Sequence, residues 1–153
     1  MAYTRLDKIS ATAHIESIVA DVDLVNGQHV VLGELQEDGE ARKVTVYEEG
    51  GDKTKVVFHS SVPLTYEDRT NELDFVLKAG KIGRSYVYEN GNIVSVTKDL
   101  IQGEAKKNAL VDIAGEGFKV VGEEETVEGL HGEIIDIDYD AIAGELAVIR
   151  IYA

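Results

Sequence analysis

Short runs in which apolar, often β-branched residues alternate with polar ones dominate the chain. Val44-Thr45-Val46-Tyr47, Lys55-Val56-Val57-Phe58-His59, Tyr86-Val87-Tyr88, Ile93-Val94-Ser95-Val96-Thr97 and Leu146 to Tyr152 all predict strands. Between them stand Asn26-Gly27, Asp38-Gly39 and Asn90-Gly91, residue pairs that tolerate the positive φ of a type I′ hairpin turn. Gly50-Gly51 and Ala143-Gly144 are weaker turn signals. The single proline, Pro63, lies between two expected strands and marks a loop or an edge. Helix is scarce. Asn71 can cap a short helix from Glu72 to Lys78, with Leu73, Val76 and Leu77 at the spacing of one buried face, and a further helical turn fits near Asp99 to Gln102. The expected fold is mainly β: a hairpin-built barrel or sandwich with one or two short helices and an extended N-terminal arm.

Length and hydrophobicity fit that reading. The 153 residues favour one domain or a domain with an extra lobe, and 44% hydrophobic residues suffice for a real core. The chain divides into an arm at 1–13 and a β-rich domain at 14–153, with an optional lobe boundary near 100–115. No stretch approaches the roughly 20 apolar residues of a membrane-spanning helix, and the N-terminus lacks the apolar core of a signal peptide.

Charge removes whole classes of partner. With 15 basic and 29 acidic residues the net charge is −14. Such a surface repels phosphate backbones and anionic membranes, so neither nucleic acid nor membrane is an expected partner. Two regions depart from the average. Residues 1–13 carry Arg5 and Lys8 against the single acid Asp7, and an arm of that charge can lie on a partner. Glu116 to Glu145 holds ten acids and one base, Lys119, as expected of a solvated face or rim.

The residues that could carry chemistry form no catalytic pattern. The chain has no cysteine, which excludes disulfides, thiol catalysis and cysteine-based zinc sites. Asp136, Asp138 and Asp140 start like a calcium loop, but Ala141 and Ala147 stand where that loop needs Gly and a bidentate Glu. As a strand, they occupy one solvated face with Ile135, Ile137 and Tyr139 on the other. His14, His29, His59 and His131 are isolated in sequence and are expected to be structural. Ser60 and Ser61 beside His59 match no nucleophile motif. No enzyme, metal or cofactor is expected.

The order of segments adds a resemblance. After the arm come Ala20-Asp21-Val22-Asp23-Leu24-Val25-Asn26-Gly27 and Val30-Val31-Leu32-Gly33-Glu34-Leu35. Then follow Leu73-Asp74-Phe75-Val76-Leu77-Lys78-Ala79-Gly80, Gly83-Arg84-Ser85-Tyr86-Val87-Tyr88 and Gly91-Asn92-Ile93-Val94-Ser95-Val96-Thr97. From about Ala20 to Thr97 this resembles small proteins encoded beside the major capsid protein in tailed phages of Gram-positive hosts. Those are regarded as head decoration or accessory capsid proteins. The resemblance implies a structural virion protein that binds and stabilises the capsid. Its partner would be the major capsid protein, with self-association as a trimer by analogy. Acidity places it on the outside, away from packaged DNA, after synthesis in the host cytoplasm. Tyr3, Arg5, Leu6 and Lys8 are the expected docking residues, mixing apolar and cationic contacts. The alternatives are a tail, baseplate or host-surface-binding module, or a small-ligand β-barrel.

Overall fold

The structure, a computed structural model, describes residues 3–9, 13–37, 39, 41–61, 75–122, 126–141 and 143–153. Fourteen strands run through them. They are β1 (Thr4–Lys8), β2 (Ile15–Ala20), β3 (Leu24–Val25), β4 (His29–Leu35), β5 (Arg42–Val46), β6 (Val56–His59) and β7 (Val76–Leu77). β8 (Gly83–Tyr86), β9 (Ile93–Thr97), β10 (Ile101–Gln102), β11 (Leu110–Ala114), β12 (Gly117–Val120), β13 (His131–Asp140) and β14 (Gly144–Tyr152) complete the set. The expected mainly β class is present, with a closed barrel as one part of it. Five strands close a barrel in the order β2-β5-β4-β6-β8, and seven form a sheet in the order β1-β9-β14-β13-β11-β12-β10. A small ribbon of β3 and β7 completes the topology. The chain leaves the barrel after Tyr86 and enters the sheet at Ile93, so β1 alone reaches the sheet from the N-terminal side.

Alternation along β6 explains how barrel and sheet share one body. Val57 points into the barrel with Ile18, Ala20, Leu24, Val30, Val44 and Leu77. Its neighbours Val56 and Phe58 point the other way, into a core built with Val94, Val96, Val111, Phe118, Ile134 and Ile149 of the sheet. Both faces of β6 are therefore covered, which is why its sequence is an apolar run rather than a half-polar one.

Two expectations need correction. Val76 and Leu77, placed in a helix from Glu72 to Lys78, instead form β7, paired with Val25 and Leu24. The rest of that segment up to Asp74 lies outside the described residues. The apolar spacing there also suits a strand, and a partner some fifty residues away decides between them. The helical turn near Asp99 is a 3-10 turn at Lys98–Leu100.

The turns differ in type. Gln28 donates to the Val25 carbonyl and Asn92 to that of Glu89, and in each four-residue turn only the third residue, Gly27 or Gly91, has positive φ. That fits type II rather than type I′. Gly39 has positive φ as well, while Asp38 lies outside the described residues.

Candidate functional site

The expected docking residues Tyr3, Arg5, Leu6 and Lys8 lie in and just before β1, at one end of the seven-stranded sheet. β1 pairs antiparallel with β9, with Arg5 opposite Ser95 and Leu6 opposite Val94. Leu6 packs against the shared core. Arg5 lies on the opposite face and is held there: Nε donates to Asp7 and Nη2 to Asp138 Oδ2 at 2.8 Å. The Arg5 hydrogen bond, and then the Tyr139 amide, keep the Asp138 carboxyl below its ordinary range. Asp7 also accepts a hydrogen bond from the buried Ser95 hydroxyl. Tyr3 donates its amide to Thr97 Oγ1 at 3.2 Å and accepts the Thr97 amide on its carbonyl. Lys8 alone of the four is exposed. The structure thus puts three of the four in β1 and Tyr3 just before it, but it spends Arg5 and Leu6 on holding that strand to the sheet.

The Asp136, Asp138 and Asp140 string is occupied by its own backbone. Asp136 Oδ1 accepts the Ile137 amide at 2.9 Å, Asp138 Oδ1 the Tyr139 amide at 2.8 Å, and Asp140 Oδ1 the Ala143 amide at 3.0 Å. The aspartates lie on the expected solvated face, but a β-bulge between Ile134 and Asp136 breaks the expected alternation at Ile135. Ile134 rather than Ile135 is fully buried, Ile137 is partly buried, and Tyr139 is 72% exposed. Among the described residues no group of three or more His, Asp or Glu side chains could hold a metal ion.

Two histidines are fully buried. His29, at the start of β4, is buried against Phe58, Tyr88 and Phe118, with ring centroids 4.9 to 5.6 Å apart. Its Nδ1 donates to the Ala114 carbonyl at 3.0 Å, so the bare Nε2 accepts from the Tyr88 hydroxyl at 2.8 Å. Burial depresses its pKa to about 4. His59 donates Nδ1 to the Val25 carbonyl at 2.8 Å and bonds Ser61 Oγ through Nε2 at 2.8 Å. Burial lowers its pKa as well. Residues two apart on a strand share a face, and that signal was present for His59 and Ser61. Ser61 Oγ also accepts the Arg84 amide at 2.9 Å, and Asn26 bonds both backbone groups of Ser61. The pair is a buried structural network that locks β6 to β8.

A third polar contact joins the barrel side to the sheet. Lys53, in the β5–β6 loop, donates to Asp112 Oδ1 at 2.6 Å and to the carbonyls of Glu128 and Leu130, each at 3.0 Å. An open groove of about 670 Å³ beside β10 and β12 mixes Lys106, Lys107 and Glu104 with Leu110 and Val120. No protein-family model matches the chain, and comparison with curated proteins found no match.

Proposed function

We propose that the chain is a structural protein of the phage virion that binds the outside of the capsid and stabilises it, without catalysis. The observation that carries this reading is where the polar side chains go. His29 and Lys53 join barrel to sheet, and Asn26, His59 and Ser61 tie the barrel's own strands together. A two-part β body braced in this way suits a protein whose work is mechanical. Its acid excess suits an outer face and disfavours a place against packaged DNA. Many weak contacts repeated over a shell would supply the avidity. The filled barrel interior speaks against a small-ligand carrier, since a five-stranded barrel lined by Ile18, Leu24, Val30 and Val57 has its space taken by side chains.

The docking surface in this reading is β1, with Lys8 as its exposed cation. Co-sedimentation with empty capsids built from the major capsid protein tests it, with cryo-electron microscopy of purified virions to locate the density. The chain is expected to sediment with the shells and to decorate the head. Density on the tail, or no binding to shells, would overturn the reading.

A further inference from the structure

We infer that the outer edge of β13, from Asp136 to Asp140, is closed against strand addition by its own aspartates, and that the strand it excludes is the same edge of a second copy. β11 covers β13 only at His131 to Glu133, and two further bonds, between Ile134 and residues 108 and 109, end the coverage. Beyond that point β14 still pairs with β13 on its inner side, but no described strand lies along its outer edge.

The bulge between Ile134 and Asp136 then shifts the alternation by one residue. Ile134 directs its amide outward, to the Ala109 carbonyl. After the extra residue, Ile137 and Tyr139 are the next to do so. Those are the two amides that Asp136 and Asp138 cap. An uncapped run of Ile135, Ile137 and Tyr139 on a long hairpin would be a template for pairing between copies. The D-x-D-x-D string thus has a role in which no metal takes part. It satisfies the outward donors and sets a carboxylate beside each. Arg5 and Asp7 are the charged groups that face Asp138 from β1. This inference does not depend on the capsid reading.

The test compares two double variants by size-exclusion chromatography with light scattering. D136V/D138V removes both caps and keeps strand-forming residues; it is expected to associate beyond the wild-type mass. D136N/D138N keeps side-chain carbonyls that accept the same amides, and is expected to run with the wild type. A folded valine variant at wild-type mass would overturn the inference, and so would an asparagine variant that associates as strongly as valine. Hydrogen exchange on the wild type decides the matter if the valine variant does not fold. The Ile137 and Tyr139 amides should exchange roughly tenfold slower than those of Thr4 and Leu6, which point outward from β1 without a cap. Equal rates would overturn it.

Discussion

The Tyr88 hydroxyl donates a 2.8 Å hydrogen bond to His29 Nε2 at the place where the chain passes from barrel to sheet. That bond requires a neutral imidazole, because the other ring nitrogen already gives its proton to Ala114. The surrounding Phe58, Tyr88 and Phe118 side chains carry no charge near neutral pH. The unfolded chain takes up this proton near pH 6.5, and the folded chain only near pH 4. Stability is therefore full above pH 6.5 and falls as pH drops toward 4, by roughly 3 kcal/mol in all. About 2 kcal/mol of that should be lost between pH 7 and pH 5. His59 acts in the same direction. Urea unfolding at the two pH values measures the loss, and His29→Gln should shrink it. A variant as pH-sensitive as the wild type would count against this origin.

At Gly115 the two halves approach closely through backbone. A Cβ there would lie 2.3 Å from the Tyr47 carbonyl oxygen and 2.8 Å from Val46 Cγ1. Neither a carbonyl in a barrel wall nor the turn facing it can yield cheaply. Gly115→Ala is expected to cost about 2–4 kcal/mol. Gly50→Ala is the control: its φ of +82° is strained for alanine, but nothing lies near the added methyl, so about 1 kcal/mol is expected. Melting temperatures of the two variants should separate clearly, with Gly115→Ala the lower.

The Lys53 ammonium has one acceptor for each of its three protons, and its side chain is only 18% exposed. Lys53→Met keeps most of the stem and removes the donors. The loss should be about 1–3 kcal/mol, toward the lower end because water can reach the freed carbonyls. The effect should also be local. Amides of residues 126–130 should lose exchange protection before those of β14. Uniform loss across the sheet would show that Lys53 does not anchor this loop.

The strands that sequence predicted well were compact runs of β-branched residues. Ile93 to Thr97 matches β9 residue for residue, and Lys55 to His59 contains β6. β13 was harder, because an inserted residue moved Ile134 rather than Ile135 into the core. Nothing local announces such a bulge; it follows from fitting β13 to both β11 and β14. The histidine networks were hidden for another reason. The His29 partners Tyr88 and Ala114 are 59 and 85 residues away, so only the folded topology brings them together. The arm's unusual charge was legible, but its meaning was not. Arg5 bridges Asp7 and Asp138 across the sheet, so one of the arm's two basic side chains is consumed internally.

That internal use separates two roles within β1. Arg5 is a partly exposed bridge, so Arg5→Ala should cost less than about 1 kcal/mol of stability while loosening the edge strand. Lys8 is exposed and has no carboxylate partner among the described residues, so Lys8→Glu should leave the fold intact. If the strand docks on a shell, Lys8→Glu should weaken co-sedimentation with empty capsids, and more so at low salt, because the lost attraction is screened at high salt. Arg5→Ala should act mainly through the strand, raising exchange first at the Thr97 amide, which bonds the Tyr3 carbonyl across the β1–β9 pair. Removal of residues 1–13 confounds the two effects, since it also strips Leu6 from the core. The point variants keep them apart: shell binding unchanged in Lys8→Glu at low salt would remove this end of β1 from the contact, whatever the strand contributes to stability.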